Sequence, residues 1–211
     1  MKIRIIAATA ALGLLAACTS TATQSDTTTP APPIAVKQAL ASVSGEVSEA
    51  NLRGYIEKMV SFGTRHTLSD QTSDVRGIGA ARRWVESEFR KMGAECGGCL
   101  EVVTVQDTVT SPPRVPNPTV IANAVAILRG TTDPNRVIII QGHLDSRVTD
   151  PLDFTSDAPG ANDDASGVAA VMETARVLSK QKFGATLVFA ALSGEEQGLH
   201  GGRILAAYAK A

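Results

Sequence analysis

The sequence predicts an α/β sandwich of three layers around a mixed, mostly parallel central sheet. Two observations carry this. Val137-Ile138-Ile139-Ile140 and Ala185 to Leu192 are short apolar runs without alternation, the pattern of strands buried on both faces. Each is followed by a segment of helical period: Ala165 to Lys180, with Val168, Val171, Met172, Ala175 and Leu178 on one stripe, and then Leu199 to Lys210. Strands alternating with helices place helices over a largely parallel sheet.

The upstream elements follow in order. Leu52, Tyr55, Ile56, Met59 and Val60 recur at helical spacing, so a helix begins near Ser48. Ser61 to Asp74 is polar, holds Gly63 and several Thr and Ser, and reads as a surface loop. A second helix carries Ile78, Ala81, Val85, Phe89 and Met92 on one face, with Gly93 as its expected C-cap. The period then changes to strands over Leu100 to Gln106 and Thr119 to Leu128, joined through a Pro-rich turn from Ser111 to Pro118.

Three regions are expected: 1–17 a lipoprotein signal peptide, 18–40 a Thr/Ser/Pro-rich tether, and 41–211 the folded part. Lys2 and Arg4 precede an apolar run, Ile5 to Ala17, that is too short for a stable membrane span. The run ends in Leu15-Ala16-Ala17-Cys18, which resembles the lipobox of bacterial lipoproteins. That resemblance implies cleavage before Cys18, acylation of its sulfur and export to a membrane-anchored, periplasmic or surface-facing position. Thr19 carries no obvious inner-membrane retention signal, which favours the outer membrane. The tether is too poor in apolar residues to offset its ordering entropy. In Cys96-Gly97-Gly98-Cys99 the cysteines lack the second pair that zinc would need and precede a strand instead of opening a helix. A small structural disulfide is the expectation for an exported chain.

Composition narrows the partners. A formal charge of −1 gives no basis for nucleic-acid binding or for attraction to an anionic membrane surface. Membrane association is therefore expected through the lipid anchor only, and oligomeric state is not readable. Aromatic residues make up 4%, so no base-stacking platform is indicated.

The chemistry lies in three motifs: Gly142-His143-Leu144-Asp145-Ser146, Pro159-Gly160-Ala161-Asn162-Asp163-Asp164-Ala165-Ser166-Gly167 and Ser193-Gly194-Glu195-Glu196-Gln197-Gly198. Two follow the apolar strands directly and one opens a helix, and α/β sheets bind ligands outside the carboxyl ends of their strands. An imidazole with carboxylates suits zinc, His-x-Asp spacing lets an acid orient the ring, and acids gathered in one cleft need a compensating cation. One of the paired glutamates can hold metal while the other takes a proton from water. Each motif alone is weaker: a turn, a helix cap, a solvated charge pair. Their conjunction at strand ends favours the metal.

These motifs, with Phe62-Gly63-Thr64-Arg65-His66-Thr67 in the early loop, resemble the M28 family of zinc metallopeptidases. The resemblance runs from about Ser48 to Ala211 and implies the following roles. His143 and Glu196 are each a ligand of one zinc ion, and Asp163 bridges the two ions of a complete site. Glu195 is the general base and Asp145 the partner that orients His143, with a cis peptide between Asp163 and Asp164. The activity implied is release of N-terminal residues from peptides. The family pattern calls for five ligands, of which three are present; neither His66 nor His200 matches a missing one. The expectation is thus a catalytic domain incomplete at its C-terminal end, with the activity of these 211 residues left open. The alternatives are an M20-type carboxypeptidase or dipeptidase, whose middle motif usually reads Gly-x-Asp-Met-Lys-Gly, a glutaminyl-cyclase-like member with one zinc, and a non-catalytic surface lipoprotein.

Overall fold

In the computed structural model, Ser48 opens the helix expected there. Its side chain accepts from the Asn51 N–H, and α1 runs Glu49–Val60. The structure describes residues 41–210, so the signal segment, Cys18 and the tether lie outside the described residues. The second helix, α2, spans Gly77–Glu95 and passes the expected stop. Gly93 packs instead of capping: a Cβ there would sit 3.4 Å from the Leu100 Cβ. The chain leaves the helix through Gly97, in the left-handed region. Gly98 N–H donates to the Gly93 carbonyl (2.7 Å) and Gly97 N–H to Ala94 (3.1 Å), the paired bonds of a Schellman ending. The Cys96–Cys99 disulfide closes over this turn.

Strands β1 (Leu100–Ser111) and β2 (Val115–Leu128) pair antiparallel from Leu100↔Leu128 to Ser111↔Val115. Both reach further into the Pro-rich stretch than expected, leaving a tight turn of residues 112–114. Then come β3 (Asp133–His143), α3 (Ser166–Leu178), β4 (Ala185–Leu192) and α4 (His200–Tyr208). Strand order is β1-β2-β4-β3. The sheet is mixed: β3 and β4, joined through α3, run parallel, whereas β1–β2 and β2–β4 run antiparallel.

Helices α1, α2 and α3 cover one face. Met59, Phe62, Val85, Phe89, Val168 and Met172 pack there against Ala124, Ala126, Leu187 and Phe189 of the sheet. On the other face Val125, Ile127, Val188 and Ala190 meet Leu205 of α4. Three layers result, with the sheet in the middle. None of the helices among the described residues is long and apolar enough to cross a membrane.

The two apolar runs differ in outcome. Strand β4 is buried nearly throughout. In β3, Val137, Ile138 and Ile139 are 45–49% exposed, contrary to the burial expected on both faces. Among the described residues β3 is an edge strand with one neighbour, and an apolar run alone does not report how many neighbours a strand has.

Candidate active site at the strand ends

The parallel register of β3 and β4, from Ile140↔Phe189 to His143↔Leu192, brings the two strand exits side by side. Leu144 N–H extends this ladder by donating to the Leu192 carbonyl (2.6 Å). His143 ends β3, and Glu195 and Glu196 follow β4 within four residues. Asp163 and Asp164 lie in a wide turn, Ala161–Ala165, ahead of α3, and the peptide between them is cis.

Around the His143 ring, Nε2 lies 2.9 Å from Asp163 Oδ1 and 4.0 Å from Glu195 Oε2. On the other side, Nδ1 lies 3.1 Å from the Asp145 carbonyl oxygen and 3.6 Å from its carboxylate. Both of those atoms are acceptors, so Nδ1 carries a hydrogen; Asp163 Oδ1 is an acceptor as well, so Nε2 of the protonated ring donates to it here, and loss of that proton frees the Nε2 lone pair. Burial alone would lower the imidazole pKa. The Asp145 carboxylate, with Asp164 and Glu195 adding, overrides burial and raises it to about 9.

The acids divide by what their oxygens touch. Asp145 is fully buried and accepts from Thr67 Oγ1 (2.8 Å), Glu195 N–H (3.2 Å) and Glu196 N–H (3.1 Å). It therefore binds the end of β3 to the end of β4, besides facing His143. Asp164 accepts from His143 N–H (3.0 Å) and Gly167 N–H (2.9 Å), tying the turn to β3. A Cβ on Gly167 would overlap the Asp164 carboxylate, at 2.3 Å from Oδ1, so this contact requires glycine. Asp163 and Glu195 instead present their side chains outward, 75% and 39% exposed.

Glu196 is placed differently. Its Oε2 accepts from Arg147 Nε (2.7 Å) and its backbone carbonyl from Arg114 (2.6 Å). Tetrahedral zinc with bonds near 2.0–2.2 Å separates its donors by about 3.3 Å. The His143–Asp163 pair fits a shared ion after a shift of a few tenths of an ångström, and neutral nitrogen with carboxylate oxygen is a suitable donor set. Glu196 as placed is committed to Arg147. Among the described residues, no group of three or more His, Cys, Asp or Glu side chains is arranged to hold a metal ion. The structure thus brings together His143, Asp163 and Glu195, with Asp145 beneath them and Glu196 at one side. The cleft beside them, about 300 Å³, is lined by Gln141, His143, Asp164, Glu195 and Leu199.

The early loop corrects the sequence reading. Thr64, Arg65, His66, Thr67 and Ser69 are buried, not at the surface. Their polar atoms find partners within the loop and far along the chain, so the segment can lie inside without orphaned groups. His66 Nδ1 accepts from Leu68 N–H (3.0 Å), so Nε2 donates to the Pro151 carbonyl (3.1 Å), which also takes a bond from Gln197 (2.7 Å). Burial pushes the His66 pKa below its ordinary 6.5, against the opposing pull of the Pro151 carbonyl. His200 is buried at the start of α4. Thr67 and Asp164 lie in motifs named from the sequence, yet their bonds to Asp145 and to the His143 and Gly167 N–H groups carry no signature there. For the Arg147–Glu196 pair, which sequence reading passed over, a signal existed: a cation two residues after Asp145 and directly beside the Gly142–Ser146 motif.

A mixed sheet with helices on both faces, and a histidine and acids converging at the ends of two parallel strands, defines the class of α/β proteins whose ligand sites are built at strand termini. Residues 123–211 match the model of peptidase family M28, and the chain belongs to that family. It is 51% identical over 161 residues to a probable zinc metalloprotease of Leptosphaeria maculans, covering 76% of this chain and 37% of that protein. The chain thus spans little more than a third of the length of this relative. Among solved structures it resembles the Legionella pneumophila LapA aminopeptidase (TM-score 0.62, 22% identity, 82% of this chain and 42% of that one). It also resembles the Porphyromonas gingivalis glutaminyl cyclase (TM-score 0.53, 23% identity, 74% and 49%). These two likenesses concern the fold.

Proposed function

We propose that this chain is part of a zinc-dependent aminopeptidase, hydrolysing the N-terminal bond of peptide substrates. The observation that carries the reading is the gathering of Asp163 and Glu195 about one imidazole nitrogen of His143. The zinc-metalloprotease relatives favour the ion, and in this proposal a complete site holds two. His143, Asp163 and Glu196 are its ligands in this proposal, Glu196 leaving Arg147 or sharing its carboxylate with it. When bound, zinc supplies Lewis acidity to the scissile carbonyl and acidity to water. Asp145 keeps His143 in the tautomer whose Nε2 can bind. Glu195, partly exposed in the cleft, takes the proton of the attacking water and later gives it to the leaving amine. The M28 match favours this over an M20-type enzyme.

The test is turnover of a leucine anilide by the zinc-loaded protein of which this chain is proposed to be part, beside the N-acetylated anilide and a peptide with N-terminal glutamine. The expected result is chelator-sensitive release from the free amine only. Glu195→Gln lowers kcat by about 100-fold or more with zinc content unchanged. Cyclisation of the glutamine peptide without hydrolysis favours the cyclase instead, and absence of both zinc uptake and turnover favours a non-catalytic lipoprotein.

The proposal extends to export and anchoring through Cys18, supported by the Leu15-Ala16-Ala17-Cys18 motif. Incorporation of labelled palmitate in a bacterial host, lost in Cys18→Ala, is the outcome that supports it.

A further inference from the structure

Beneath the strand ends lies a buried cation with no carboxylate bonded to it. Arg65 is 1% exposed. Its guanidinium donates only to backbone carbonyls: Nε to Leu144 (2.7 Å), Nη1 to Pro159 (2.7 Å) and Met59 (3.2 Å), and Nη2 to Gly160 (2.9 Å). Burial pushes its pKa down to about 10, with Asp145 and Asp164 opposing the fall. A buried charge is tolerated when its donors are satisfied, and here carbonyl dipoles satisfy them.

The choice of carbonyls is informative. Leu144 stands between His143 and Asp145. Pro159 and Gly160 open the turn that carries Asp163, and Ala165 N–H closes that turn on the Gly160 carbonyl (3.0 Å). A side chain at Gly160 would meet Asp163 O at 2.5 Å and Arg65 Nη2 at 3.0 Å, so the turn and the guanidinium share one small space. The Arg65 backbone repeats the link: its N–H donates to Ser146 Oγ (3.2 Å), and Ser146 Oγ donates to Ala158 O (2.7 Å). One planar fork thus touches α1, the segment after His143 and the turn before Asp163. Lysine carries its donors on one nitrogen and cannot reproduce that fork.

We infer that Arg65 is a positioning residue that sets the separation of His143 from Asp163 through the Leu144, Pro159 and Gly160 carbonyls. The link to zinc rests on the proposed function; the link to geometry does not. The experiment therefore has a metal-free arm and a metal arm, both on the full chain, with wild type, Arg65→Lys, Arg65→Met and Ser146→Ala. In the metal-free arm, hydrogen exchange in Arg65→Lys is expected to quicken at least about tenfold at the amides of Leu144, Ser146, Ala158 and Ala165, while α2 and the β1–β2 ladder keep wild-type protection. In the metal arm, zinc affinity by chelator competition is expected to fall about 10- to 100-fold, more in Arg65→Met than in Arg65→Lys. The visible spectrum of the cobalt-substituted protein is expected to shift with it. A folded Arg65→Lys with wild-type exchange at those four amides and a wild-type cobalt spectrum overturns the inference. If Arg65→Lys does not fold, Ser146→Ala decides: the same local quickening supports the inference, and its absence overturns it. If wild type takes up no zinc, the proposed function fails while the exchange data still judge Arg65.

Discussion

Two sets of acids share one end of the sheet and are used in opposite ways. Asp145 and Asp164 are turned inward, their oxygens occupied by backbone N–H groups of neighbouring segments. Asp163 and Glu195 are turned outward, beside His143. The inner pair, with the buried loop from Thr64 to Ser69, forms a polar layer that fixes where the strand exits lie. The outer pair has little to do with holding the fold. Neighbouring residues of the same chemical type thus take separate duties, one set structural and one set available to a ligand or a proton.

Substitutions can break this contrast. The largest effect is expected for Asp145→Ala, which strands the Thr67 hydroxyl and two backbone N–H groups in a buried place. At roughly 1 kcal/mol or more per orphaned donor, a loss of about 3 kcal/mol in unfolding free energy is expected by urea titration. Asp145→Asn keeps one acceptor oxygen and is expected to lose less. A smaller effect of known sign comes from His66. Burial holds it neutral with a pKa below 6.5, so the unfolded chain takes up a proton first as pH falls. Its contribution is intact above pH 6.5 and is lost as pH drops from there toward its folded value. The difference in stability between wild type and His66→Asn is therefore expected to shrink on acidification below pH 6.5. The smallest effect is expected for Asp163→Asn: within about 0.5 kcal/mol of wild type in the metal-free protein, because the side chain is largely exposed. A large loss there would show that the outer acids also carry the fold.

Much of this arrangement is legible in the sequence. The helix over α1 follows from spacing and its Ser48 cap, and the strand-end position of His143 and the glutamates follows from the apolar runs before them. The inner layer is not legible, for a physical reason. Arg65 bonds carbonyls 79 to 95 residues away as well as one nearby, and Thr67 reaches Asp145 across 78 positions. Such pairings leave no period in the chain, and a polar segment whose partners are remote looks like one whose partner is water. The exposure of β3 is hidden for a related reason: neighbour count is a property of the sheet, not of Val137 to Ile140. The Arg147–Glu196 pair is likewise a tertiary fact, although both residues lie inside or beside recognised motifs.

Asp145 grips Glu195 and Glu196 by their main-chain N–H groups and leaves both side chains outside the grip. The mount is consequently indifferent to the tool it carries. Any residue but proline offers the same amide at either position, so the working groups can be exchanged without rebuilding the bench beneath them. A frame of that kind can pass through changes of reaction in descent while keeping its shape, and it offers a direct route for installing new side chains at 195 and 196 by design.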